Sequence, residues 1–188
     1  MLPKPFSTLP VALLTVQEVT SGEAVFTMGE VPTSFFYVVE GEIHLLRNTE
    51  AGDSVVIHRA FTGEFFAEAS LFSEAYHCIA EAKANTRLIK INREGTLNFM
   101  ATNARFSRDL SAYLARQVQS YRGLIELRSI RSAEERVLAA VADGWLKGSV
   151  VSFATQIGLT HEATYRALSG LVQRNVLKRT GRGQYSLA

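Results

Sequence analysis

The sequence holds one cysteine, Cys78, among its 188 residues. A lone thiol cannot close an intrachain disulfide or supply a four-cysteine zinc or iron–sulfur site, so a reducing compartment is the simpler expectation. No apolar run approaches the ~20 residues needed to cross a bilayer. The stretch from Phe6 to Val16 is largely apolar, but it is short and Pro10 interrupts it, which argues against a secretory signal. A cytoplasmic location is therefore expected. The four prolines all lie before residue 33, so the remainder is free to form long helices. The four histidines, His44, His58, His77 and His161, form no His-x-His pair. P-loop, dinucleotide-binding and Ser/His/Asp patterns are also missing, so neither an enzyme nor a metal site is expected.

A strong charge of one sign is absent too: the formal net charge is +2. Its distribution is uneven. Residues 1–119 carry ten Lys and Arg against thirteen Asp and Glu, whereas residues 120–188 carry ten against five. An acidic front and a basic back fit a chain whose back meets phosphates; scattered surface charge gives the same totals.

What is present changes character along the chain. Residues 18–92 are rich in short Val, Ile, Phe and Tyr segments, such as Ala24–Thr27, Ser34–Val39, Ile43–Arg47, Ser54–Arg59 and Arg87–Ile91. Glycine-containing turns separate them at Gly22, Gly29, Gly41, Gly52 and Gly63. Spacing of ~8–12 residues predicts a small antiparallel sandwich or barrel. A helical pattern replaces it near Gly95. Leu110, Leu114, Val118, Tyr121 and Ile125 recur at helical spacing from Phe106 to about Leu127, forming one apolar stripe. Such a stripe can pack on its own domain or on a second copy. Arg128–Arg131 is the expected hinge, and Ser132-Ala-Glu-Glu135 has the spacing of a capping box that opens a new helix ending near Gly144.

The last third carries the most chemistry. Phe153-Ala-Thr-Gln-Ile-Gly158 is predicted to be a short helix ending at glycine, with Thr160 as N-cap of the next helix, His161 to Val172. Thr164, Ala167, Leu168 and Leu171 would pack inward, and the small Ala154 and Gly158 would let two helices cross closely. His161, Glu162, Tyr165, Arg166 and Ser169 would face out. Arginine can donate a bidentate pair to guanine, glutamate can accept from cytosine or brace the arginine, and the first helical turn is where a recognition helix meets DNA. Two short β segments then flank Thr180-Gly-Arg-Gly183, with Lys178, Arg179 and Arg182 on or beside the tip. A basic hairpin after a recognition helix is what a phosphate-gripping wing requires. The order helix, turn, helix, hairpin predicts a winged helix-turn-helix.

On these residues the chain resembles the cyclic-AMP receptor protein/Fnr (Crp/Fnr) superfamily of bacterial transcription regulators over nearly all of residues 15–188. At the front the resemblance rests on Gly22-x3-Phe26-x2-Gly29, Phe36-Tyr-Val-Val-Glu-Gly41 and Gly63-Glu-Phe-Phe-Ala-Glu-Ala-Ser-Leu-Phe72. At the back it rests on Ala154-x2-Ile157-Gly-Leu-Thr-x-Glu162-x3-Arg166-x-Leu168. It implies an α+β protein with an antiparallel, cyclic-nucleotide-binding-like β-roll (1–95), a dimerisation helix region (96–128) and a winged helix-turn-helix (129–188). It also implies a homodimer joined along the 110–125 stripe, a near-palindromic DNA site, and RNA polymerase as a further partner. His161 stands where the family often has arginine, while Glu162 and Arg166 match.

The effector pocket departs further. The family's cyclic-nucleotide binders present Gly-Glu-Leu followed by Arg-Ser or Arg-Thr. Here Ala67 replaces the glycine, Glu68 matches the ribose-binding glutamate, and His77-Cys78 stands in place of Arg-Ser. A neutral imidazole substitutes poorly for a fixed guanidinium, which argues against cyclic AMP. The candidate pocket residues are Ala67, Glu68, Ser70, His77 and Cys78. No cofactor is expected; haem on His77 or Cys78, a redox-sensing Cys78, and a purely structural His-Cys pair are the competing readings. Outside the family, a cupin-like ligand- or metal-binding enzyme and an effector-independent interaction module are the alternatives.

Overall fold

The computed structural model describes residues 2–50, 52–146 and 148–188. The chain divides into two compact units, the first ending at Ala112 and the second beginning at Tyr113.

The first unit is built on eight strands: β1 (Leu14–Val19), β2 (Ala24–Phe26), β3 (Ser34–Glu40), β4 (Glu42–Asn48), β5 (Ser54–Phe61), β6 (Phe65–Phe66), β7 (Ile79–Ala82) and β8 (Thr86–Asn92). They form two four-stranded antiparallel sheets, ordered β1-β8-β3-β6 and β2-β7-β4-β5. Alternation along each strand turns one row inward: Ile43 pairs with Ala60 on one side and Ala82 on the other, and all three are buried. The pattern read from sequence is present, with strand structure starting four residues earlier, at Leu14. The turn at Gly41 needs glycine on two counts. Its φ is +110°, and a Cβ there would stand 2.3 Å from Thr86 Oγ1.

Aromatic rings fill the interior. Phe26 stacks on Tyr76 with ring centroids 3.7 Å apart, and Phe36 stacks on Phe66 at 5.0 Å. The Tyr76 hydroxyl donates to the Ser34 carbonyl at 2.6 Å, satisfying the one polar atom that this ring carries inward. A second aromatic layer covers the opposite face of the first sheet. Phe6 lies 5.1 Å from Phe35 and 4.3 Å from Phe65, and Phe106 lies 5.1 Å from Phe99. The apolar segment at the start of the chain is therefore a plug on the roll. Helix α1 (Arg93–Thr102), capped by Asn92, follows the last strand, and Asn103 separates it from α2 (Ala104–Ser129).

Helix α2 continues into the second unit, which comprises its C-terminal half, α3 (Ala133–Ala142), α4 (Val150–Gln156), α5 (His161–Gln173) and the hairpin β9 (Leu177–Gly181) with β10 (Gln184–Leu187). One core joins them: Leu127, Val137, Ala140, Phe153, Ile157, Leu168, Leu171 and Leu177 are all buried. The caps explain why the helices lie where they do. Ser132, Ser149 and Thr160 each accept a hydrogen bond from the backbone N–H three residues on. The ends are closed in the same way each time, by a left-handed residue at Gly144, Asn175 or Gly158. Helix α4 begins at Val150, three residues before the expected Phe153, because Ser149 supplies an earlier cap.

Candidate nucleic-acid interface

The interface candidate starts from the end of α4. Gly158 has φ +71°, its N–H bonds Thr155 O at 3.2 Å, and the Leu159 N–H bonds Ala154 O at 2.9 Å. This glycine therefore serves the turn rather than a close helix crossing, which corrects the reading of its small size; Ala154, by contrast, is fully buried. Thr160 follows directly. Its hydroxyl accepts from the Ala163 N–H at 3.1 Å, and its carbonyl accepts from the Thr164 hydroxyl at 3.0 Å. Thr164 thus spends its polar atom locally and can be buried beside Ala167, Leu168 and Leu171.

The opposite face of α5 is exposed at His161, Glu162, Tyr165, Arg166 and Ser169. Each of the five side chains is without a hydrogen-bond or ion-pair partner among the described residues. The expected brace between Glu162 and Arg166 is accordingly not formed. The pair that does form at this helix joins Arg174, just past its end, to Glu134 of α3. One helix therefore carries a carboxylate, a guanidinium, a phenol, a hydroxyl and an imidazole, all pointing to solvent. Lys178, Arg179 and Arg182 are also exposed, on β9 and the hairpin turn; Arg179 Nε donates to Gly181 O at 3.2 Å, which holds that side chain along the tip.

Along α2 the stripe splits in two. Leu110 is only 1 % exposed within the first unit, so it is occupied by its own core and offers nothing to a partner. Leu114 is half-buried. Val118, Tyr121 and Ile125, at 49 %, 53 % and 69 % exposure, form an apolar ridge on the half of the helix that belongs to the second unit. The other side of that half is occupied: Leu127 enters the core, and a Cβ on Gly123 would lie 3.4 Å from the Trp145 ring.

The effector candidates are only partly brought together. Ala67, with φ +61°, Glu68 and Ser70 share one tight turn, in which the Ser70 N–H bonds Ala67 O at 2.9 Å. Sequence reading missed what braces this turn. Arg93, at the start of α1, donates from Nε to Ser70 O at 3.1 Å and from Nη2 to Ser73 O at 3.3 Å. No local signal connects residues so far apart in the chain. His77 and Cys78 point to opposite sides: His77 is exposed, while Cys78 lies in the aromatic core. Burial pushes the Cys78 thiol up, a shift that the charge of Arg47 only partly offsets. Burial thus disfavours the thiolate, the form on which cysteine redox reactivity depends. Among the described residues, no three His, Cys, Asp or Glu side chains are placed to hold a metal ion. Nor is any described helix long and apolar enough to cross a membrane.

The cyclic nucleotide-binding domain family matches residues 16–103. The cyclic AMP receptor protein of Thermus thermophilus is 26% identical over 165 residues, covering 84% of this chain and 76% of that one. FixK2 from Bradyrhizobium japonicum has a similar fold, with a TM-score of 0.67 at 22% identity over 93% of this chain and 92% of that one. So does the c-di-GMP-responsive global regulator of Xanthomonas campestris, with a TM-score of 0.59 at 18% identity over 94% and 95%. Residues 16–103 thus match the cyclic nucleotide-binding domain family, and the fold of the chain is similar to those of FixK2 and the Xanthomonas campestris regulator.

Proposed function

We propose that the chain is a sequence-specific DNA-binding transcription regulator that acts as a homodimer rather than as an enzyme. The second unit is then a winged helix-turn-helix beginning at about residue 129, with α5 as recognition helix and the β9–β10 hairpin as wing. The observation that carries this reading is the face of α5. In a unit whose helix ends are closed by its own atoms, five polar side chains of α5 are left without partners among the described residues on an exposed face behind a capped turn. A solvated surface tolerates such a face; a major groove uses it. Arg166 suits guanine O6 and N7, Glu162 suits cytosine N4, and Tyr165, Ser169 and His161 flank them. Lys178, Arg179 and Arg182 grip phosphates without reading bases.

The ridge of Val118, Tyr121 and Ile125 is the dimer seam, with Leu114 at its margin. A two-fold pair of recognition helices fits a near-palindromic site with half-sites about one DNA turn apart. RNA polymerase is the further partner that such a regulator would address, and the cytoplasm is its setting.

The front domain is the effector module in this reading. Its pocket turn keeps Glu68 and Ser70 but lacks an arginine at position 77, and the rings of Phe26, Phe36, Phe66 and Tyr76 occupy the interior of the roll. Cyclic AMP is therefore not the favoured effector.

The direct test is selection of bound sequences from random duplex DNA, followed by titration at several salt concentrations. Enrichment of a two-fold-related motif, with affinity falling steeply as salt rises, is the expected result. Absence of any enriched motif would overturn the reading in favour of a protein-interaction module.

A further inference from the structure

The C-terminus of α4 leaves a set of carbonyls whose partners define a mechanical link. The turn bonds at Gly158 and Leu159 use Thr155 O and Ala154 O. Gln156 O, Ile157 O and Gly158 O remain, and arginines take all three. Arg128, in the last turn of α2, donates to Gln156 O from Nε at 3.1 Å and from Nη2 at 2.9 Å. Arg136, on α3, donates from Nη1 to Ile157 O and Gly158 O, both at 3.2 Å, while its Nε holds Ile130 O in the hinge at 2.9 Å. The planar fork of arginine makes such paired donation feasible, and positive charge at a helix C-terminus is favourable in itself.

The place of Arg128 gives the link its meaning. It lies seven residues beyond Tyr121, and seven residues bring an α-helix round to within about 20° of the starting direction. Arg128 therefore stands on the same face as Val118, Tyr121 and Ile125, at the end of the apolar ridge nearest the hinge. Its other end touches the turn two residues before Gly158, and that turn leads straight to Thr160, the N-cap of α5. One exposed side chain spans from the ridge to the base of the helix that carries Arg166. Anchoring of α2 in the second core rests elsewhere, on Leu127 and on the contact of Trp145 with Gly123.

We infer that Arg128 is a positioning residue: it fixes the angle of α5 against the end of α2, and so sets which half-site spacing the dimer accepts, without itself touching DNA. This rests on the DNA-reading function proposed above. The link converts a packing event on the ridge into an orientation of the reading face, with Arg136 holding the hinge carbonyl in step.

The test uses the full chain and the motif enriched by selection, rebuilt with one base pair added or removed at its centre. The parent protein should prefer the native spacing. Arg128→Ala should reduce that preference about fivefold while leaving binding to random duplex and the melting temperature near those of the parent. Arg128→Lys keeps the charge but loses the fork, so its preference should fall between the two. Unchanged spacing preference, or an equal loss of affinity at every spacing, would overturn the inference. Should the alanine variant melt early, the lysine variant is judged by the same criterion. A parent that enriches no motif overturns the DNA reading and the inference with it; a selective parent with an equally selective Arg128→Ala variant overturns the inference alone.

Discussion

The two units solve the problem of buried polarity in opposite ways. The first relies on pairings between distant segments: the Tyr76 hydroxyl reaches Ser34 O, and Arg93 reaches Ser70 O and Ser73 O. The second closes most of its helix ends with neighbours, serine or threonine at the start and a left-handed residue at the end, and adds two longer links from Arg128 and Arg136 to the carbonyls of residues 156–158. A unit closed mostly by local bonds can leave one helix face unpaired without disturbing its own core, which is what a reading surface needs. A roll closed by long-range bonds and stacked rings has few free groups inside, so any effector must either displace packing or bind at its margin.

The largest expected effect tests whether the units are separable. Phe153 is fully buried at the centre of the second core. Phe153→Ala should cost about 3–5 kcal/mol there. Helical signal and DNA binding should be lost, while the near-ultraviolet signature of the stacked Phe26, Phe36, Phe66 and Tyr76 array persists. Simultaneous loss of both signals would show that the division at residue 112 has no thermodynamic meaning.

The next effect addresses the ridge. Ile125 is the most exposed of its residues, so a charge there should spare the fold and strike only a partner. Ile125→Asp should sediment as a monomer and lose about 100-fold in affinity for a two-half-site duplex, because the second half-site then gains nothing from linkage. A dimer that survives the substitution would move the interface elsewhere. Arg166→Ala comes after it: a loss of roughly 1–3 kcal/mol for the selected motif, with relaxed preference at one base position and unchanged stability. Equal weakening on random DNA would demote Arg166 to a phosphate contact.

The same local-versus-distant contrast explains what was legible. The cap at Thr160, the inward set Thr164, Ala167, Leu168 and Leu171, and the exposed set with Glu162 and Arg166 could all be read from spacing, because helix periodicity and capping are written within a dozen residues. The alternating strands were equally plain. Three things were not. Phe6 looked like part of a short apolar run, and only the fold brings it against Phe35 and Phe65. Leu110 shares the stripe's period with Val118, yet packing spends it on the first unit. Arg128 reads only as part of the hinge and Arg136 carries no local signal, because their partners at 156–158 lie more than twenty residues away. The pocket suffered most: His77 and Cys78 are adjacent in sequence, but the bend before β7 leaves His77 exposed and Cys78 in the core.

The smallest effect separates the units by pH. Cys78 and Tyr76 both have pKa values raised by burial, and both belong to the first unit. A group whose folded pKa lies above its unfolded one favours the folded state fully at lower pH. As pH climbs past the unfolded value, about 8.5 for a thiol, the unfolded chain loses its proton first and the advantage shrinks. The first unit should therefore lose stability progressively above that pH, and Cys78→Ala should flatten the early part of the fall while the contribution of Tyr76 persists to higher pH. Denaturant unfolding between pH 7 and 10, followed through the aromatic signal, measures this directly. The native thiol should also resist alkylation at pH 8 that an unfolded chain accepts. Rapid labelling of the folded protein, or an alkaline fall that Cys78→Ala leaves untouched, would mean that the thiol is not held in the core, and the contrast between a closed front and an open-faced back would lose its chemical basis.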